Sequence, residues 1–351
     1  MGREETMTLI FLAFAAAVLW GVKFHKEGGD GAYLSVEKGR SFRGILALTV
    51  MCHHLAERTG DSSPFHIFAF VGFLPVAYFF FLSGYGLQKS YARKPGYRPN
   101  ILKKRIPSVL IPYLGMTVLY WLLSALEGQP YTPAQVLTAF AKGEPIVTFA
   151  WYIQFILLLY LGFWLTIGLY RGNQKRGVVW NVLFLGACLV LFKRLHYGFN
   201  WINSCITYPL GILWAMGEDA WLPWIRKHFW PIAAVTAVSF CGAFLAAMLF
   251  VDTAAAIPLY WAAGILFTAV CLLLQMKVTF RNRFLLAMGD CSMELYMIHG
   301  FFLQLYRGNH IYLENPALWS AAVVASSCLG AWGLHKLFGM LLKGKKKAAV
   351  S

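Results

Sequence analysis

A chain of 351 residues, 59% hydrophobic and only 13% charged, lies outside the balance of a soluble domain, in which about a quarter of residues are charged. A mean hydropathy of +0.58 and apolar runs from end to end exclude a water-soluble or disordered class. The formal net charge of +16 suits a nucleic-acid binder by its size alone, but the basic residues cluster between apolar spans, so no nucleic-acid partner is expected. Cys52, Cys188, Cys205, Cys241, Cys271, Cys291 and Cys328 sit in or beside apolar spans with no CxxC pair, which fits packing residues better than a metal or disulfide framework.

Eleven candidate spans follow in chain order: 7–24, 43–56, 65–88, 106–126, 149–170, 178–192, 201–217, 229–251, 257–276, 285–306 and 316–342. The second is short for a core of about 30 Å. With the amino terminus outside, 24 of the 31 basic residues fall on the inner side and six outside, while Lys336 lies within the last span. The expected fold is therefore all-α: a polytopic membrane helix bundle of about eleven transmembrane helices, amino terminus out and carboxyl terminus in. The leader before the first span is not net positive, and Lys23 and Lys26 follow the apolar run; both favour a retained helix over a cleaved signal. Residues 1–39 read as an extra helix and a Gly-rich linker, 40–342 as the membrane domain, and 343–351 as a basic tail that anchors to lipid headgroups.

Within the second span, Arg43 and His54 are separated by ten residues. Eleven steps of about 100° place them on one helix face, about 16 Å apart along the axis. A guanidinium pairs with phosphate oxygens, and a neutral imidazole takes a proton from a hydroxyl. The pair suits a phosphorylated donor entering from the inner side, with topology anchoring and helix packing as the plainer alternative. His53 points about 100° away from that face and reads as a supporting residue.

Farther along, Phe79–Gly86 ends the third span with Ser83 beside Gly84, a wall for a narrow tunnel or a notch for helix packing. Seven cations lie between Lys89 and Arg105, and Arg105, next to a span, is best placed to meet a phosphate. Trp151 and Tyr152 open the fifth span as an interfacial belt or a stacking platform. The tenth span holds Ser292, Glu294, Tyr296 and His299, of which Ser292, Tyr296 and His299 share one face. Glu294 is expected at the depth of His54, and His299 farther out. No Walker A loop, HExxH, GxSxG or zinc-spaced set is present, so neither a metal nor a redox cofactor is expected.

Taken in order, these residues resemble the membrane acyltransferase-3 family, bacterial-type O-acyltransferases of cell-surface glycans. Arg43 and His54 match its Arg/Lys and His pair. Phe80-Phe-Leu-Ser-Gly-Tyr85, Lys103-Lys-Arg-Ile through Pro112-Tyr113, Trp151-Tyr152 and Gly289-x-x-Ser-Met-Glu-Leu-Tyr-Met-Ile-His299 are similar to its further signatures. The resemblance implies a ten-helix core, acyl-CoA on the cytoplasmic side and an acceptor hydroxyl outside. It also implies His54 as the catalytic residue and Arg43 and Arg105 on the donor; the residues themselves add Ser83 on the donor side and a supporting or acceptor network drawn from Glu294, Ser292, Tyr296, His299, Trp151, Tyr152 and His53. The chain departs from the pattern at Ser108, where a second Arg is common, and at Arg40, where an Asp is common.

The expected function is O-acyl transfer in the cell membrane (plasma or bacterial inner membrane), with acetyl-CoA or another acyl-CoA as co-substrate, no permanently bound cofactor, and a glycan or related hydroxyl acceptor. A transporter or flippase using Arg43, His54 and Glu294 as a polar relay is the alternative, and a non-catalytic scaffold in surface-glycan assembly a third reading. The residues specify no acceptor, acyl chain length or oligomeric state.

Overall fold

The computed structural model describes residues 3–25, 33–61, 63–94, 96–169, 173–280 and 282–348. Thirteen helices of eight residues or more are found among them: α1 (Arg3–Leu19), α2 (Val36–Thr59), α3 (Phe73–Arg93), α4 (Ile106–Leu126), α5 (Pro133–Ala141), α6 (Trp151–Leu169), α7 (Gln174–Arg194), α8 (Thr207–Lys227), α9 (Phe229–Leu249), α10 (Ala256–Lys277), α11 (Arg283–Asp290), α12 (Ser292–Leu305) and α13 (Pro316–Ala348). Five are long and apolar enough to cross a membrane: α4 with the turns before it, α7, α9, α10 and α13 as far as Leu342. The protein is an all-α, polytopic integral membrane protein.

Two further stretches, Glu5–Leu19 of α1 and Trp151–Ile167 of α6, are apolar but shorter. Helix α2 is central and packs on α3, α11, α12 and α13, with Leu48, Met51, Cys52 and Leu55 fully buried. By contrast α9 leaves Trp230, Val235, Val238, Leu245 and Leu249 exposed, the surface expected to meet lipid. The apolar run of the second span is short, yet α2 is not. Ser35 accepts a bond from the Lys38 amide at its start, and the helix runs 24 residues, about 36 Å.

Close backbone approach at glycines sets the packing around α2. A Cβ on Gly289 would stand 1.8 Å from the Arg40 carbonyl oxygen, and one on Gly44 would stand 2.4 Å from that of Leu285, so α2 and α11 meet backbone to backbone. Arg40 closes this contact with a bidentate pair to Asp290. Helices α3 and α8 repeat the device: a Cβ on Gly84 would meet Tyr208 O at 2.2 Å, and one on Gly211 would meet Phe81 O at 2.0 Å.

Several expectations are corrected. The tenth span is two helices, because Gly289 and Asp290 are committed to α2 and Cys291 leaves helical geometry (φ −99°, ψ 23°). The third begins with a 3₁₀ turn, Pro64–Phe68, before α3 starts at Phe73. Helix α5 was not expected, although Thr132 and Gln135 form a capping box at its start. The all-α class carries one small exception, an antiparallel pair of β1 (Val22–Phe24) and β2 (Val278–Phe280).

That pair ties the amino-terminal segment to the body, helped by Asn282, whose Nδ2 donates to the carbonyls of Ala17 and Trp20. At the other end, Phe11 packs edge-on against Phe65 at 5.5 Å. Of the expected linker, residues 27–32 lie outside the described residues, and Val36 to Gly39 already belong to α2. Lys26, Arg171 and Arg281 also lie outside them, as do the side chains of the basic tail from 343 onward.

Candidate functional site

Two cavities lie along α2, one at its Arg43 end and one at its His54 end. The first, about 220 Å³, is lined by Arg43, Ser83, Arg105, Tyr152, Ser292 and Tyr296, together with apolar side chains of α3, α4 and α6. The second, about 230 Å³, is lined by His53, His54, Trp151, Asn200, Asn203, Tyr260 and Tyr296, among others. Tyr296 is the one described residue that lines both, so its ring stands between the cationic cavity and the imidazole.

Arg43 makes no hydrogen bond or ion pair among the described residues and lines the first cavity; the carboxylate that acts on its charge is that of Asp290, which pairs with Arg40. Arg105 ends a π-helical turn, Ile101–Arg105, of the kind that re-aims side chains at functional sites. Its Nε donates to the Tyr97 hydroxyl at 2.9 Å. Ser108 donates to the Arg105 carbonyl at 2.7 Å, so the serine found in place of a second arginine steadies the first turn of α4 rather than adding charge. Ser83 and Tyr152 bring their hydroxyl oxygens to 3.4 Å on the opposite wall. Ser83 lines the cavity, and its neighbour Gly84 seats α8.

His54 is held on two sides. Its Nδ1 lies 2.9 Å from Glu57 Oε2, one turn on along α2. A carboxylate only accepts, so Nδ1 carries the proton and donates, leaving Nε2 with its lone pair. The ring stacks on Phe149 at 3.5 Å and 8° and lies parallel to His299 at 5.3 Å. Phe149 adopts φ 68°, a left-handed conformation that costs a phenylalanine on the order of 1–3 kcal/mol and that persists only where its surroundings enforce it. Here Tyr296 enforces it by donating its hydroxyl to the Phe149 carbonyl at 2.6 Å. Tyr296 therefore both divides the cavities and sets the ring against which His54 stacks.

His53 donates from Nδ1 to the Phe68 carbonyl at 3.0 Å and places Nε2 3.4 Å from Glu57 Oε1. The Glu57 carboxylate accepts from His54 and, where His53 also carries a proton on Nε2, pairs with that ring as well. The ligand atoms of His53, His54 and Glu57 lie within 4.8 Å of one another, close enough to hold a metal ion, although their direct contacts hold the trio together without one. The sequence contains no metal-ligand spacing, so this grouping was not foreseen.

Tenth-span residues divide differently from expectation. Ser292 lines the Arg43 cavity, Tyr296 the shared wall, and His299 stacks at the level of His54 instead of farther out. His299 is fully buried and donates Nδ1–H to the Leu295 carbonyl at 3.0 Å. Glu294 lines neither cavity; its carboxylate accepts from His335 Nδ1 at 3.2 Å on α13. The expected support of His54 by Glu294 therefore gives way to a helix-clamping pair, for the reason already visible in its position off the Ser292–Tyr296–His299 face. Glu294→Gln, which keeps size and one acceptor, is expected to leave acyl transfer within about twofold of the parent while lowering the thermal midpoint, because the buried Glu294 carboxylate loses its charge-assisted bond to the half-exposed His335; a parallel activity and melting series checks it. Trp151 and Tyr152 are also separated: the indole lines the His54 cavity, the phenol the Arg43 cavity.

Glu57, Phe149, Asn200, Asn203 and Tyr260 complete the site and were missed. Glu57 had a signal, its spacing of three and four residues from His54 and His53. The others are assembled by tertiary packing.

Two guanidinium groups on one side of a tyrosine and an oriented imidazole on the other suit the transfer of a group from an anionic carrier to a nucleophile inside a membrane protein. The class this defines is a membrane-embedded group-transfer enzyme. A family model described as an acyltransferase domain matches residues 41–336, and the chain belongs to that family, acyltransferase 3: it is an enzyme that transfers acyl groups. Comparison with curated proteins and with solved structures gives no match.

Proposed function

We propose that the protein is an O-acetyltransferase that takes acetyl-CoA from the cytoplasmic side and acetylates a hydroxyl of an extracytoplasmic glycan or related surface molecule, in the cell membrane. The observation that carries this reading is Tyr296 standing between the Arg43–Arg105 cavity and the His54 cavity. A cationic cavity suits a phosphorylated carrier, and an oriented neutral imidazole suits a hydroxyl nucleophile. Arg43 and His54, about 16 Å apart on one helix face, are separated by a distance that a flexible thioester arm spans.

In this mechanism Arg43 and Arg105 hold the donor, and its arm passes between Ser83, Tyr152 and Tyr296. His54 Nε2 takes the proton of the acceptor hydroxyl as its oxygen forms a bond to the thioester carbonyl carbon. The C–S bond breaks, and the leaving thiolate takes up the proton from His54. Glu57 stabilises the imidazolium that exists between these steps. Asn200, Asn203, Trp151 and Tyr260 offer amide and aromatic surfaces for an acceptor. The β1–β2 pair sets the ends of the first and ninth spans on a common side, in keeping with the span order read from the sequence. The relay reading loses a member, because Glu294 is paired with His335.

Thermal unfolding of the purified protein with and without CoA tests the reading. Stabilisation of the parent, and its loss in Arg43→Ala and Arg105→Ala, is expected; no stabilisation of the parent by CoA would contradict it. Glu57→Gln is expected to lower kcat by about 10- to 100-fold, the worth of one hydrogen bond to a charged group, with CoA affinity unchanged; steady-state kinetics beside the CoA melting shift separate the two effects.

A further inference from the structure

A further cavity, about 680 Å³, lies outside the site just described, between the segment after α3 and the end of α6. Lys94, Arg98 and Lys103 line it with Tyr91, Tyr97 and Trp164, and no carboxylate does. Lys94 and Lys103 are exposed and form no ion pair among the described residues. Arg98 is already committed: its Nε donates to the Trp164 carbonyl at 3.0 Å and its guanidinium covers the indole at 4.6 Å. The result is a flat aromatic and cationic platform beside two free ammonium groups.

Tyr97 joins this cavity to the donor cavity. Its ring lines the larger space, and its hydroxyl accepts from Arg105, which lines the smaller one. The smaller cavity, at 220 Å³, falls below the roughly 300 Å³ that accommodates even a drug-sized ligand, so it holds an acyl-bearing arm but not a nucleotide as well. The nucleotide end of such a donor has to lie elsewhere, within reach of Arg105.

From this geometry we infer that the 680 Å³ cavity is the subsite for the nucleotide end of the acyl donor, with the Trp164–Arg98 stack under the base and Lys94 and Lys103 on the 3′-phosphate. The inference rests on the acyl-CoA reading above. Aromatic and guanidinium faces accept a base without reading its edges, and ammonium groups act as point charges for a phosphate. The arrangement predicts selection for a phosphomonoester at one end of the donor, separate from the contacts made by Arg43 and Arg105.

The test is binding of CoA and of 3′-dephospho-CoA to the full-length protein in phosphatidylcholine nanodiscs. The parent is expected to prefer CoA by about tenfold or more, the value of a charge-assisted contact. The double variant Lys94→Ala/Lys103→Ala is expected to bind both nucleotides equally, whereas Arg105→Ala weakens both by the same factor and keeps the preference. Trp164→Ala is expected to weaken both about tenfold, the loss of one base stack. Equal binding by the parent, or a preference that survives the lysine substitutions, would overturn the subsite. Failure of the parent to bind either nucleotide would instead overturn the acyl-CoA reading. An anionic lipid headgroup is the other source of phosphate. It would show as stabilisation by nanodiscs containing phosphatidylglycerol that requires Lys94 and Lys103, with no preference between the nucleotides, and that result also overturns the subsite.

Discussion

Replacing His54 by alanine is expected to reduce acyl transfer by about 10³-fold or more while CoA binding stays within a few-fold of the parent. General base catalysis by a positioned side chain contributes about 10²–10⁴-fold, and His54 is the imidazole that meets the requirements of such a base here. Its Nδ1 is tied to Glu57, its Nε2 is left as an acceptor, and it lines a cavity that shares the Tyr296 wall with Arg43 and Arg105. CoA affinity is spared because the donor contacts lie on the other side of that wall. His54→Gln is the companion variant. It retains a donor toward Glu57 and a flat group against Phe149 but supplies no base, so it is expected to be as inactive as His54→Ala with less loss of stability. Label transfer from acetyl-CoA to surface glycan in isolated membranes reads activity, and melting reads stability.

Gly289→Val is expected to have the largest effect on the fold. Its new Cβ would stand 1.8 Å from the Arg40 carbonyl oxygen and 2.5 Å from the carbonyl carbon, backbone atoms that no rotamer change can move. Relief requires α2 and α11 to separate, which also breaks the Gly44–Leu285 approach and the Arg40–Asp290 pair. The expected loss is about 3 kcal/mol or more, the upper range of core overpacking. Function goes with it, because α2 carries Arg43 and His54 while α11 leads directly into Ser292, Tyr296 and His299 of α12. Gly333→Ala is the control. Its Cβ meets nothing within 4 Å, so that variant is expected to melt at or slightly above the parent midpoint. Thermal unfolding in detergent compares the two.

The helices that face lipid were legible because an apolar run with no competing task ends where its hydropathy ends. The run 106–126 became α4 with the same limits, and 229–251 became α9, shorter by two residues. Errors fell where tertiary demands interrupt an apolar stretch. At Gly289 and Asp290 the chain gives up helix continuity to dock on α2, and hydropathy does not register a glycine chosen for backbone contact. At Phe149 a residue expected inside a helix sits before it in a left-handed conformation held by Tyr296. The candidate site divided along the same line. Helical spacing placed Arg43 with His54 and Ser292 with Tyr296, and left Glu294 apart, because those relations lie within single helices. The split of Trp151 and Tyr152 between two cavities, the stacking of His299 on the His54 level and the entry of Asn200, Asn203 and Tyr260 depend on which helices pack together, and no residue period encodes that.

At the centre of this mechanism, His54 is the base for acyl transfer from a cytoplasmic donor to a hydroxyl outside. Its most direct test is mass spectrometry of surface glycans from cells that lack the protein and are supplied with the parent, with His54→Gln or with neither, the two forms matched for membrane abundance. Base-labile acetyl esters are expected to be restored by the parent and absent with His54→Gln. Equal restoration by His54→Gln would contradict it.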